Sequence, residues 1–234
     1  MQEISHQMMG YDRTSIMFSP DGRLLQVEYA KEAVRQGSTA IGMVCKDGVL
    51  LVADKRIADK LVVSDSVEKI FQVDDHIGAT ATGFVMDGRV LIERARVIAQ
   101  QHTVTYGVPI EPQSLVKEVC DIKQFYTQYG GARPFGVSLL FIGMDDKPVL
   151  YVTDPTGIFF EYKATAVGEA ENEVKAILNK MYKESLTIDE GLKLAITALK
   201  KVLGKEFDLN RIDAAYIKTS DKKFIKVNKK KLKA

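Results

Sequence analysis

The stretch GSTAIGMVCKDGVLLVADKR, from Gly37 to Arg56, decides the fold. Two apolar runs, Ala40 to Cys45 and Val49 to Ala53, flank Lys46, Asp47 and Gly48, and an Asp-Gly pair in that setting signals a hairpin. Neither run alternates apolar with polar. A strand that is apolar on both sides needs cover on both faces, so the hairpin is expected in a sheet held between a second sheet and a layer of helices.

Upstream of the hairpin, Ser19, Pro20, Asp21 and Gly22 offer a cap residue, a proline suited to a first helical turn and an acid favoured by the helix dipole. Val27, Ala30 and Val34 follow at helical spacing, which predicts a helix from about Asp21 to Arg35, ending before Gly37. Residues 1 to 12 show no periodicity and carry Gly10. Downstream, Lys69 to Val73 and His76 to Thr82 read as strands. Phe84, Gly88, Leu91, Ala95 and Ile98 step by four and three as one face of a helix. A second helix begins near Glu111, carries Leu115, Val119, Ile122 and Tyr126, and stops at Gly130, Gly131 and Pro134. Strands return over Gly136 to Gly143, Pro148 to Thr153 and Gly157 to Tyr162. Helices follow from about Glu169 to Glu184 and from Ile188 to Leu203, the latter opened by a Thr187/Glu190 capping box. Arg211 to Thr219 and Lys223 to Asn228 close the chain as strands.

Strands, two helices, strands, two helices, strands: this order has no alternating strand-helix repeat and excludes a doubly wound parallel sheet. It favours an α+β fold of two stacked antiparallel sheets with a helix pair outside each, a four-layer αββα sandwich. With 234 residues and no linker, the chain reads as one domain, in which a sandwich over 37 to 228 follows an N-terminal helix.

A hydrophobic content of 46%, a charged content of 27% and a net charge of +2 are those of an ordinary globular protein, and argue for neither nucleic acid nor membrane as a partner. The one charge run, Lys229, Lys230, Lys231 and Lys233, reads as a basic solvated tail over 229 to 234. Cys45 and Cys120 lie in apolar segments without metal-ligand spacing and are read as reduced core residues of an intracellular protein. The N-terminus is too polar for a signal peptide and no apolar run nears the ~20 residues that span a bilayer, so a cytoplasmic location is expected.

Phosphate loop, dinucleotide fingerprint, HExxH and nucleophile elbow are all absent, and His6, His76 and His102 are scattered, so neither metal nor cofactor is expected. What remains is Ser38 at the leading edge of the hairpin, Asp54 at the end of its second strand and Lys69 at the start of the third. A hydroxyl beside a lysine and an acid serves as a nucleophile when it belongs to an N-terminal residue, whose α-amine, with a pKa of about 8, takes the proton. Here 37 residues precede Ser38 and no such amine is free. A strand-edge serine, an exposed aspartate and a salt-bridged lysine are the plain reading of the same three residues.

The chain resembles the α-type subunits of the archaeal proteasome core particle over essentially its whole length. The resemblance rests on Tyr11-Asp12-Arg13, on the thirteen residues from Phe18 to Ala30, FSPDGRLLQVEYA, on Gly37 to Gly42, GSTAIG, and on Tyr126 to Gly136, YTQYGGARPFG. It implies the αββα fold of the N-terminal-nucleophile hydrolases. Laid against the catalytic β-type subunits, Ser38 falls at their N-terminal threonine, Asp54 at their supporting acid and Lys69 at their catalytic lysine. The retained N-terminal segment, and Val167-Gly168-Glu169 in place of a serine-glycine turn, make this site a vestige with no catalytic residue.

The resemblance further implies a seven-membered homo-oligomeric ring that caps rings of β subunits and controls the admission of unfolded polypeptide. Residues 1 to 12 with Arg13 would form a gate, Tyr11 and Asp12 packing with Pro20 and Tyr29 in its open state. Lys69, with Gly83 leaving room, would receive the C-terminal carboxylate of an ATPase regulator. Tyr129, Gly130 and Gly131 would line the axial opening, and the helix over 21 to 35 would join neighbours. Two alternatives stay open: a hydrolase released by self-cleavage before Ser38, and a ring scaffold unrelated to proteolysis.

Overall fold

The computed structural model describes residues 10 to 57, 59 and 61 to 228; the expected tail over 229 to 234 and the first nine residues of the expected gate lie outside them. Among the described residues, the helix α1 (Leu25–Arg35) precedes the hairpin of β1 (Ala40–Cys45) and β2 (Gly48–Asp54), and β3 (Ile70–Asp74) and β4 (Ile77–Gly83) follow. Then come α2 (Val85–Tyr106), α3 (Pro112–Gln128), β5 (Val137–Met144), β6 (Pro148–Thr153), β7 (Phe159–Glu161) and β8 (Ala164–Val167). The helices α4 (Glu171–Met181) and α5 (Ile188–Leu203) and the strands β9 (Ile212–Lys218) and β10 (Phe224–Lys226) complete the chain.

The strands form two antiparallel sheets, ordered β10-β9-β2-β1-β8 and β3-β4-β5-β6-β7. Burial explains why the hairpin does not alternate. All of β2 is buried: Val49, Leu51 and Ala53 face the second sheet, with Leu140, Ile142 and Leu150 in the same cluster. Leu50 and Val52, on the other side, meet α4 and α5 through Val174, Leu178, Leu192 and Ala195. In the second sheet β5 does likewise, turning Leu139 and Phe141 toward Leu91, Ala95, Leu115 and Val119 of α2 and α3. Three apolar interfaces therefore separate four layers, each fully buried Leu, Ile or Val contributing roughly 1.5–3 kcal/mol relative to exposure.

The hairpin turn also ties two layers together. The Asp47 carboxylate accepts the Ile188 N–H at 2.7 Å, and α5 starts there with its capping box complete: Glu190 N–H donates to Thr187 Oγ1 at 3.3 Å and Thr187 N–H to Glu190 Oε2 at 2.8 Å.

Two local expectations are corrected. The helix expected from Asp21 begins at Leu25, because Ser19, Pro20, Asp21 and Gly22 form a turn closed by Gly22 N–H to Ser19 O at 2.8 Å, with Gly22 at φ +75. Ser19 Oγ accepts the Arg23 N–H at 3.2 Å, so the serine caps the turn instead of the helix. The second concerns β8, which the sequence reading passed over: four small residues pair with Ala40 to Met43 of β1 and complete the first sheet.

Candidate functional site at the front of the hairpin

The segment leading into β1 is anchored at each residue. Gly37 N–H donates to Val34 O of α1 at 3.0 Å, and Gly37 O accepts Glu169 N–H at 2.9 Å. The Ser38 carbonyl accepts from Thr82 Oγ1 at 3.2 Å, and Thr39 O accepts the Asp54 N–H at 2.9 Å. Thr39 Oγ1 accepts the Ala170 N–H at 3.2 Å. Gly168, at φ +111, passes so near that a Cβ there would lie 2.8 Å from Gly37 O and 2.9 Å from Ser38 O. Ser38 is therefore buried within continuous backbone, its nitrogen an amide.

Asp54 is wholly buried, and Arg211 takes both of its oxygens, Nε to Oδ1 at 3.0 Å and Nη2 to Oδ2 at 2.7 Å; Arg56 N–H adds a third bond to Oδ1 at 2.9 Å. Sequence spacing puts Asp54 with Lys69, and the fold does bring them within electrostatic reach, but the fork of Arg211 holds the carboxylate. Burial pushes the Lys69 ammonium down to about 8, Asp54 opposing and neighbouring Arg56 assisting. Lys69 is anchored through its backbone, whose N–H reaches Asp213 Oδ2 at 3.1 Å and whose carbonyl accepts from Thr80 Oγ1 at 2.8 Å. Arg56 turns to an ion pair with Glu169, in the turn that follows β8. Asp54 with three hydrogen bonds on its carboxylate, Ser38 with an amide nitrogen and Lys69 anchored through its backbone tie the strands together at this edge. In front of it a groove of about 1070 Å³ opens between α4 and α5, reaching Thr39, Asp54, Arg56, Ile177 and Leu203.

At the far end of α1, Asp12 O accepts from Gln26 Nε2 at 2.5 Å, and Tyr29 Oη donates to Asp12 Oδ2 at 3.4 Å. Tyr11 is half-buried, Arg13 exposed, and Arg13 N–H closes a turn onto Gly10 O at 3.1 Å. Pro20 stands exposed in the turn ahead of α1. The segment then passes the loop after α3, Ser15 Oγ donating to Tyr129 O at 3.4 Å and Ile16 lying beside Gly130. Tyr129 stacks on Phe125 with ring centroids 5.3 Å apart. Gly83 and Gly37 share the wall of a hollow of about 440 Å³ with Tyr29, Glu32 and Phe84; Lys69 does not line it in the single chain.

Sequence reasoning missed Arg211, Asp213 and Arg56, whose meaning depends on pairings across the chain. It also passed over Lys123. That side chain is completely buried on α3, donating to Val137 O and Thr153 Oγ1 at 2.9 Å each, and its ammonium is pushed by burial down to about 8. Among the described residues no grouping of His, Cys, Asp and Glu could hold a metal, and no helix is long and apolar enough to cross a membrane.

Comparison with known proteins agrees with this geometry. Residues 34 to 217 match the family model described as proteasome subunit, and residues 11 to 33 match the model for the N-terminal signature of A-type proteasome subunits. The proteasome alpha subunit of Pyrococcus abyssi is 52% identical over 95% of this chain and 85% of its own length. The protein of the same name from Archaeoglobus fulgidus is 50% identical over 96% and 92%. That from Methanocaldococcus jannaschii is 52% identical over 95% and 85%. The two matched models meet at the C-terminal end of α1, where the helix runs into the hairpin, and on this ground the chain belongs to the proteasome subunit family, with the N-terminal signature of its α type.

Proposed function

We propose that this chain is a non-catalytic α-ring subunit of a proteasome core particle. It forms seven-membered rings that cap β rings, gates the admission of unfolded polypeptide with its N-terminal segment and docks ATPase regulators by their C-terminal tails, in the cytoplasm. One observation carries the reading: Gly37 is hydrogen-bonded through both its N–H and its carbonyl and runs on from α1 into Ser38, so the position that would need a free amine is interior backbone. Arg211 on Asp54 removes the acid as well. The bonds from Asp12 to Gln26 and Tyr29 support the N-terminal segment as an element with a definite docked state, as a gate requires.

Reconstitution with β subunits tests the proposal. Peptide hydrolysis is expected from the mixture and from no preparation of this chain alone. Intact mass of the assembled chain is expected to show Met1 present, and deletion of residues 1 to 12 to speed degradation of an unfolded protein. A mature chain beginning at Ser38 with activity of its own would establish the self-processed hydrolase, and unchanged degradation on deletion would remove the gate.

A further inference from the structure

The groove of about 1070 Å³ between α4 and α5 exceeds the roughly 300–1,000 Å³ of pockets that enclose small ligands, which suits it to a segment of polypeptide. Its walls are helical. On α4, Glu173, Ala176, Ile177 and Lys180 follow at i, i+3, i+4 and i+7 and therefore stand on one stripe. Thr197 and Lys201 stand four apart on α5, and Lys205 and Glu206 continue that wall in the turn beyond the helix. Ala176, Ile177, Val202 and Leu203 give the groove an apolar lining, to which Met181 adds a side chain that is 53% exposed.

The charges along the groove fall into two sets. Arg56 is paired with Glu169, and Asp54 and Glu206 with Arg211, so these are answered within the fold. Lys180, Lys201 and Lys205 have no ion-pair partner among the described residues, and Glu173 is the lining acid in the same condition. Three exposed lysines thus stand against one glutamate. A solvated lysine by itself means nothing, but an apolar trough between unpaired lysines differs from an ordinary polar face. The trough costs free energy while it is wet, and the lysines favour a cover of opposite sign.

We propose that the groove between α4 and α5 is a docking surface for an acidic amphipathic helix of a partner protein, whose apolar stripe lies on Ile177, Met181 and Leu203 and whose carboxylates meet Lys180, Lys201 and Lys205. A helix in a groove is read by anchors three and four residues apart, the spacing that α4 itself presents. The run Lys229, Lys230, Lys231 and Lys233 has the same sign as the walls and does not suit them. A nucleic acid backbone would use the lysines and leave the apolar lining bare. The surface requires neither the ring nor the gate, and it shares no lining residue with the hollow at Gly83.

The test uses the full chain, alone and assembled with β subunits. The probe is a fluorescein-labelled peptide of about 16 residues, long enough to hold a helix, with Leu on an i, i+3, i+4, i+7 stripe and Glu and Ala elsewhere. A scrambled peptide of the same composition and a labelled oligouridylate are the controls. Fluorescence anisotropy is expected to show the striped peptide binding to both preparations, more weakly as salt is added. Binding should fall about tenfold or more when Lys180→Glu, Lys201→Glu and Lys205→Glu are combined, and by a similar factor in Met181→Glu. Glu173→Gln should tighten it, and carbodiimide should link the peptide to the three lysines.

Equal binding of the scrambled peptide overturns the proposal, as does undiminished binding in either the triple-lysine variant or Met181→Glu. Tighter binding of the oligouridylate also overturns it and makes the groove a nucleic acid site. Loss of peptide binding in the assembled particle, or a changed assembly state in the triple-lysine variant, would assign the groove to a contact between subunits, and the proposal falls there too.

Discussion

Arg211, at the entrance to β9, holds both carboxylate oxygens of Asp54, at the end of β2, 157 residues earlier. The two strands pair so that Asp54 stands opposite Ile212, which brings the guanidinium over the buried acid. An arginine in that position converts a candidate catalytic acid into the anchor of a strand junction, and its Nη1 extends the anchor to Glu206 O at 2.8 Å.

Removing the arginine alone should cost far more than removing the pair. Arg211→Met leaves a buried carboxylate without its counter-charge, and about 3–5 kcal/mol of destabilisation is expected, while Arg211→Met combined with Asp54→Leu should recover most of it. Urea midpoints at one fixed protein concentration, with assembly state checked alongside, measure this. Similar losses in the single and double variants would contradict it. No peptidase activity is expected from either.

Lys123 should give stability a distinctive alkaline dependence. Its native pKa of about 8 lies below the unfolded value of about 10.4, so between those two the unfolded chain holds a proton that the native chain lacks, and stability rises with pH in that window. Below pH 8 both states are protonated and the contribution is flat. The difference in unfolding free energy between wild type and Lys123→Met should therefore grow in favour of wild type across the window, by on the order of 3 kcal/mol when traversed fully. Denaturant titrations at intervals from pH 7 to 10 check the slope, and a constant difference would rule this out.

Gly83→Ala is expected to destabilise by about 2 kcal/mol or more, because φ +118 strains any other residue and the added methyl meets the Gly136 carbonyl. Hydrogen exchange should then accelerate at the Phe84 and Gly136 amides, whose bonds to Gly136 O and Asp87 hold this junction. Exchange unaltered at both amides would argue against the close approach.

Tyr29→Phe removes the hydroxyl that donates to Asp12, and Gln26→Ala removes the donor to the Asp12 carbonyl. Each net hydrogen bond is worth roughly 0.5–1.5 kcal/mol, so the double variant should expose the segment around Tyr11 to Arg13 to proteolysis several times faster while leaving global unfolding nearly unchanged. Cleavage rates in that segment equal to wild type would show that these bonds do not hold it.

Much of the architecture was legible because burial writes itself into the pattern of side chains. The unbroken apolar runs of β1 and β2 demanded cover on both faces, and the three apolar interfaces supply it. The Thr187/Glu190 box and the stripe of α5 were equally plain, being local signals with local causes. Local reading failed where one sequence serves two structures. Ser19 to Gly22 suits a helix start and a turn alike, and only the positive φ of Gly22 with its bond to Ser19 decides for the turn. The strand β8 escaped because Ala164 to Val167 is too small and short to show a period, and it exists by pairing with β1.

For the candidate site the division falls in the same place. The sequence by itself determined the layer order, the position of the hairpin, the placing of Ser38, Asp54 and Lys69 around its front edge, and the presence of a chain segment ahead of Ser38. Each of these follows from residue type, spacing or covalent continuity. Only the tertiary structure decided what those residues do to one another: that Arg211 takes Asp54 whole, that Gly37 is bonded on both sides, that Lys69 is left with a depressed pKa, and that Arg133 locks onto Asp87. The physical reason is that partners for a buried charge are chosen by desolvation, which acts across space and leaves no mark on neighbouring positions in the chain.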